Sequence, residues 1–348
     1  MKRADILRKL EEDGCVFVRH GGNHDWYRNP RDGNVSTGAA ASRNQRVPCK
    51  TYSEETCELM RFEFFPLRFE FIARDSLYFA PGQAANILRG AMGTIFRRIA
   101  GDAYARVFEP VGQSEGPSGL ANSPRPFVFR ARHLDGKTVQ TGAAFYFDLH
   151  VFSLDREVLN SFVRTFAELA REGVGPGRGK AELQRVLRLG VGDDETCVLA
   201  DSVKPAALDL AESFPALHRI RVDFLSPTEL KHEDRIADRP EFPILFGRIR
   251  DRISTLRTLF GPGPLAIDFQ AVGQRAASVA MTRCEVRRVE SKRRSSRTGQ
   301  THSIGGFVGM AEYAGELAEF LPYLEAARWT GVGRHAVWGN GEIAVTRF

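Results

Sequence analysis

The stretch Arg61-Phe-Glu-Phe-Phe-Pro-Leu-Arg-Phe-Glu-Phe-Ile-Ala-Arg74 decides the reading of the fold. Apolar and charged residues alternate along it, which is the period of a strand with one buried face. A few residues later Pro81-Gly82 opens a helix over residues 83–99, with Ile87, Leu88, Ala91, Ile95, Phe96 and Ile99 at helical spacing. A strand that hands over to an amphipathic helix is the first half of a βαββαβ, ferredoxin-like unit. The chain supplies the other half. Pro126-Phe-Val-Phe-Arg130 and residues 144–152 read as strands, residues 155–171 as a second helix, and a glycine-rich turn from Gly173 leads into a strand over residues 183–190.

A second unit repeats the scheme. Residues 219–224 read as a strand ending in Ser226-Pro-Thr-Glu-Leu-Lys231, residues 242–260 as an amphipathic helix, 274–289 and 305–313 as strands, 316–327 as a helix and 341–345 as a closing strand. The expected fold class is therefore α+β, with two ferredoxin-like domains in tandem over residues 60–215 and 216–348. Ahead of them, residues 1–59 read as helix (5–13), strand (15–19), turn and strand (25–28). After Gly33 the sequence turns to Ser, Thr, Ala, Gly and Asn, and from Gly38 on low hydrophobicity replaces the third strand and amphipathic helix that would be expected there.

At 348 residues and 43% hydrophobic content the chain can fill more than one core. It holds no apolar run of eighteen residues, and its start is charged throughout, so the expectation is no membrane span, no signal peptide and a cytoplasmic address. Five cysteines lie scattered without a close Cys-x-x-Cys pair, which predicts reduced thiols and no structural metal. The net charge of +6 is concentrated. Residues 283–297 hold seven basic side chains, among them Arg287, Arg288, Lys292, Arg293, Arg294 and Arg297, against two glutamates, a local net of +5. Both a solvated loop and a phosphate-binding surface fit that run.

The tail Gly331-Val-Gly-Arg-His-Ala-Val-Trp-Gly-Asn-Gly341 carries two Gly-x-Gly pairs around a basic, aromatic pentapeptide. Such glycines let a backbone turn through positive φ and approach a phosphate-bearing ligand closely, or let a tight strand connection pack. The Gly-x-Gly-x-x-Gly spacing of dinucleotide sites is absent, and the segment leads into a strand where that motif opens a helix. Arg334, His335 and Trp338 suit phosphate contact and base stacking, beside Gly331, Gly333, Gly339 and Gly341.

Taken together, Ser226-Pro-Thr-Glu-Leu-Lys231, Gly306-Phe-Val-Gly-Met-Ala-Glu-Tyr-Ala-Gly315 and Leu324 to Gly341 resemble the CRISPR-associated endoribonucleases of the RAMP superfamily, which cut precursor CRISPR RNA. Asn86-Ile-Leu-Arg-Gly-Ala-Met-Gly93, Tyr104-Ala-Arg-Val-Phe-Glu-Pro110 and Pro117 to Phe129 resemble that family in the same order. The resemblance implies paired ferredoxin-like (RAMP/RRM-like) folds with repeat RNA between them, other Cas effector subunits as further partners, and no metal or cofactor. It also implies attack of a ribose 2′-OH on the adjacent phosphate, leaving a 2′,3′-cyclic phosphate. Relatives place a catalytic histidine near the first helix, whereas residues 83–101 here contain none. The candidates left for proton transfer are His302, His335, Tyr104 and Lys292, with His302 first because Lys292, Arg293, Arg294 and Arg297 lie near it. A non-catalytic RNA-binding subunit is the alternative.

Separately, Lys2 to Gly14 and Val16-Phe-Val-Arg-His-Gly-Gly-Asn-His-Asp-Trp-Tyr-Arg28 resemble HicA-like mRNA interferase toxins, whose fold is like a double-stranded-RNA-binding domain. His24 falls on that family's catalytic position. The likeness ends near residue 35, so residues 1–59 are expected to be a partial α-β-β segment, a reading-frame scar upstream of a natural start at Met60.

Overall fold

The computed structural model describes residues 60–110, 123–233, 235–290 and 303–348 throughout, together with the backbone of strands at 16–20, 24–28, 35–39, 51–52, 292–294 and 301–302. The expected helix at residues 5–13 lies outside the described residues. Strands β1 (Val16–His20), β2 (His24–Arg28), β3 (Val35–Ala39) and β4 (Thr51–Tyr52) form one antiparallel sheet in that order. The presence of β3 corrects the expectation that a third strand is missing. Val35 to Ala39 pair with β2 from Arg28 to His24, because backbone ladders close without an apolar face and Val35 and Thr37 are β-branched.

The next half begins with β5 (Arg61–Ala73) and β6 (Leu77–Tyr78), followed by α1 (Ala84–Ile99) and α2 (Gly101–Phe108). It continues through β7 (Phe127–Arg130), β8 (Thr138–Val139), β9 (Ala144–Val151), α3 (Arg156–Glu172), β10 (Ala181–Arg188), β11 (Cys197–Val198) and β12 (Ala206–Asp209). Its main sheet runs β11-β10-β5-β9-β7, with β12 also paired to β5, and every neighbouring pair is antiparallel. Helix α3 starts where the Asp155 carboxylate accepts the Glu157 N–H at 2.9 Å and stops at Gly173, whose φ is +108°. Helix α1 has no cap of its own. The Asp135 carboxylate, brought in by the turn before β8, accepts the Ala84 N–H at 2.9 Å.

Along β5, Phe65, Leu67, Phe69, Phe71 and Ala73 point into a core closed by α1, α2 and α3. Phe69 stacks on Phe147 at 5.4 Å and meets Phe166 of α3 at 4.7 Å. Each such ring contributes about 2–3 kcal/mol by burial. The opposite face changes character midway. Phe62 and Phe64 are fully buried, whereas Arg68 and Glu70 are partly exposed and pair with Asp148 and Arg185. Phe62 and Phe64 belong to a second core, and that core lies mostly in the rest of the chain.

The second half runs β13 (Arg219–Thr228), β14 (Lys231–His232), β15 (Arg235–Ile236), α4 (Phe242–Phe260), α5 (Phe269–Ala277), β16 (Ala280–Val289), β17 (Lys292–Arg294), β18 (Thr301–Ser303), β19 (Gly306–Ala314), α6 (Leu321–Thr330) and β20 (Ile343–Arg347). Its antiparallel sheet has the order β16-β19-β13-β20, so β16 is an edge strand that runs on into the β17–β18 hairpin. In each half the first strand stands between the third and the fourth, with the second outside the third. Residues 274–277, expected as strand, close α5 instead. The Asp268 carboxylate caps that helix by accepting the N–H groups of Gln270 and Ala271 at 3.1 and 3.0 Å.

Tyr313, on β19, is fully buried and donates its hydroxyl to Pro240 O at 2.6 Å, which fixes the entry of α4. Tyr313→Phe leaves that carbonyl without its donor and is expected to cost about 1–2 kcal/mol of stability, read as a lower urea midpoint at unchanged slope.

Candidate nucleic-acid interface at the seam of the two halves

Thr228 is the last residue of β13, and the ladder to β19 shifts register between Phe224 and Thr228. The freed segment is zipped to the glycine-rich loop that follows α6. Ser226 Oγ donates to Gly339 O and accepts the Glu342 N–H, both at 2.9 Å. The Gly341 N–H donates to Pro227 O at 3.0 Å, and the Arg334 N–H donates to Glu229 O at 2.9 Å. Two sequence motifs a hundred residues apart are thus one structural unit.

The glycines serve this contact. Gly333 and Gly341 have φ of +77° and +69°, and a Cβ there would stand 2.3 Å from Glu229 O and 2.0 Å from Val332 O. The close backbone approach that the sequence suggested is made to the protein's own chain. Gly331 and Gly339 likewise face Arg130 and Ala85 of the first half.

Beyond the zipper, the loop is seated in the first half. Val337 enters the core beside α1 and β7, and the Trp338 ring packs at its margin with the Arg89 guanidinium of α1 lying over it at 4.9 Å. The start of the loop is clamped as well. The last carbonyls of α6, which have no partner within the helix, accept from three side chains: Arg328 O from Arg130 (3.1 Å), Trp329 O from His150 Nδ1 (2.8 Å) and Thr330 O from Arg252 (2.9 Å). Arg130 and His150 come from β7 and β9, and Arg252 comes from α4. Cations at the negative end of a helix are favourable, by up to about 2 kcal/mol when partly buried. Burial, aided by the neighbouring Arg130 charge, pushes the His150 imidazole down to about 3, so it is neutral with its proton on Nδ1. Burial also lowers Arg252, to about 10.

At the rim of the seam stands Glu229, with a side chain only 7% exposed. Its carboxylate holds the Arg334 guanidinium at 2.6 Å and lies 3.8 Å from His335 Nε2. His335 has φ of +65°, a left-handed backbone that few residues other than glycine adopt. Arg132 and Glu342 face each other nearby at 3.5 Å.

The other candidates are dispersed. Tyr104 lies on α2, stacked on Phe108 at 4.7 Å, with Arg97 over its ring at 5.4 Å. Arg287 and Arg288 project from the edge strand β16, and Arg288 approaches Asp238 at 3.4 Å. Lys292, Arg293 and Arg294 pair through the backbone with Ser303, His302 and Thr301, so Arg293 sits directly across the hairpin from His302. The side chains of Lys292, Arg293, Arg294 and His302 lie outside the described residues, as do Arg297 and the side chain of His24. Among the described residues no three His, Cys, Asp or Glu side chains converge as a metal site, and no helix is long and apolar enough to cross a membrane.

Residues 222–343, from β13 to the first residue of β20, match the family described as the CRISPR-associated endoribonuclease Cas6. The C-terminal part of the chain is thus similar to the Cas6 family. It contains the edge strand, the hairpin and the whole zipped loop. Residues 62–207 match a second family, described as an N-terminal domain. The fold matches those of solved Cas6 structures. A Thermus thermophilus Cas6 product complex aligns with a TM-score of 0.50 at 17% identity, covering 82% of this chain and 100% of that one. A second Cas6 product complex aligns at 0.50 and 18%, covering 81% and 99%. A Cas6-RT-Cas1–Cas2 complex aligns at 0.50 and 12%, covering 82% of this chain and 29% of that one. No curated protein matches the chain.

Several seam residues were not singled out in the sequence. Glu229 lay inside a quoted motif as its one carboxylate. Arg130 ends, and His150 interrupts, a strand that is otherwise largely apolar, which is the sequence signal of a buried, partnered polar group.

Proposed function

We propose that the chain is an endoribonuclease that binds CRISPR repeat RNA and cuts precursor CRISPR RNA into guide units, in antiviral defence. The observation that supports it best is the Cas6 family match over residues 222–343, because that span encloses the loop seated between the halves. We read those halves as ferredoxin-like domains, 60–215 and 216–348. The strand order common to both sheets supports this reading. Repeat RNA runs along their seam and past the basic edge of β16.

In the proposed reaction the ribose 2′-oxygen attacks the adjacent phosphorus and the bond to the 5′-oxygen breaks, leaving a 2′,3′-cyclic phosphate and a 5′-hydroxyl. A base takes the 2′-OH proton and an acid returns one to the 5′-oxygen, with no metal involved. His335 is the imidazole of the glycine-rich loop at the rim of the seam and takes one of these roles. His302, Tyr104 and Lys292 are the candidates for the other, and Arg287, Arg288, Arg293, Arg294 and Arg297 for phosphate contact. The Cas6-RT-Cas1–Cas2 complex supports other Cas proteins as partners.

One observation favours a second reading, a non-catalytic subunit that binds CRISPR RNA: α1 carries no histidine. A third is an mRNA interferase acting through His24. Incubation with repeat RNA in EDTA separates them. Cleavage at one site supports the first, binding without cleavage the second, and general mRNA cleavage lost in His24→Ala the third.

The phosphate role of β16 has its own readout. Arg287→Ala is expected to lower the slope of log affinity against log salt for repeat RNA by about 0.7–0.9. An unchanged slope removes Arg287 from the interface.

A further inference from the structure

We infer that Glu229 is the positioning residue of His335: its carboxylate aims the imidazole and sustains its protonated form. The inference rests on the proposed role of His335 in proton transfer. A carboxylate buried to 7% exposure needs cationic or hydrogen-bonding partners, and Glu229 meets two groups of one loop, the Arg334 guanidinium at 2.6 Å and His335 Nε2 at 3.8 Å. Arg334 alone would anchor the loop, since its backbone N–H also donates to Glu229 O at 2.9 Å. The additional feature is the backbone of His335. Its φ of +65° costs of order 1 kcal/mol in a residue with a Cβ, and the Trp338 N–H, donating to His335 O at 2.9 Å, helps hold that turn. The conformation places Nε2 toward the carboxylate. The separation exceeds a hydrogen bond, and such contacts tighten when substrate arrives.

The charges around the imidazole explain why the carboxylate matters. Arg334 belongs to its own loop, Arg89 comes from α1 over the Trp338 ring, Arg130 comes from β7 beside Gly331, and Arg132 follows β7. Cations near an imidazole disfavour its protonated form. Opposing them are Glu229 and, beside Arg132, Glu342. Glu229 lies 3.8 Å from Nε2, so its charge is the one placed to favour the imidazolium form.

The test titrates His335 by NMR in the full chain, with the resonance assigned through His335→Asn. Glu229→Gln keeps size and shape, and the backbone anchor survives it. The expected result is a His335 midpoint lower by about one pH unit, with the matching limb of the cleavage pH profile displaced equally. The turnover number is expected to fall about tenfold while repeat RNA affinity changes less than about threefold. Glu229→Asp keeps the charge and should hold the midpoint near that of the parent chain. A midpoint unmoved in Glu229→Gln, or lowered equally in Glu229→Asp, overturns the pairing even if cleavage declines. A displaced midpoint with unchanged cleavage upholds the pairing and removes His335 from the chemistry, so the two readings fail separately.

Discussion

His335→Asn is expected to slow cleavage of repeat RNA by about 100- to 1,000-fold while leaving the affinity for that RNA within about threefold. Asparagine is the informative substitution because it tolerates the left-handed backbone that His335 adopts, so the loop keeps its path. What is lost is the imidazole as a proton carrier. The loop itself stays docked through Val337 and through the Ser226, Pro227 and Glu229 contacts, none of which uses the imidazole. A single-turnover assay at saturating enzyme separates chemistry from binding. Cleavage at the parental rate in His335→Asn would move the proton-transfer role to the hairpin of His302 and Lys292.

The second large effect concerns acid stability. In the folded chain burial and Arg130 hold the His150 imidazole near 3, whereas an unfolded chain binds that proton at about 6.5. Between those values the unfolded state carries the extra proton, so stability rises with pH across the window. Neutral His150 therefore contributes fully above about pH 6.5, and its contribution is lost as pH falls toward 3, at a limiting rate of about 1.4 kcal/mol per unit. Over the full window this amounts to about 4–5 kcal/mol, enough to exhaust much of a typical folding free energy. His150→Asn retains an N–H donor for Trp329 O and removes the titration. Urea midpoints from pH 7 to pH 4 should converge for the two proteins as the pH drops, with the parent losing about one proton's worth of slope more than the variant. Parallel curves would contradict the assignment.

Much of the fold was readable because it is written in local period. The alternation along β5 and the helical spacing of residues 242–260 each matched an observed element, and Pro243 and Gly261 punctuate α4 at its ends. Residues 274–277 misled because the cap that starts α5, Asp268, lies outside the window in which they resemble a strand. The strand β3 was overlooked because a backbone ladder leaves no hydrophobic trace in a polar segment.

The seam was far less legible, for a physical reason. Phe62 and Phe64 look like any inward residues of β5, yet they face the second core, and no periodicity names the partner of a buried face. Likewise the glycines suggest close approach of a ligand or a tight strand connection, and what the fold brings against Gly333 and Gly341 is Glu229 O and Val332 O. Arg130, His150 and Arg252 meet only because three distant segments fold onto the end of α6. Such convergence is a property of the tertiary structure alone.

Attack by the ribose 2′-OH leaves its mark on the ends of the RNA fragments. End-group analysis of the RNA fragments tests it most directly, using 5′-labelled repeat RNA incubated with the purified protein in EDTA. The expected result is one cleavage position, with a 2′,3′-cyclic phosphate on the upstream fragment and a 5′-hydroxyl on the downstream one, and no cut at a linkage whose 2′-OH is replaced by hydrogen. A 3′-hydroxyl and 5′-phosphate pair, or cleavage at the deoxy-substituted linkage, would contradict it.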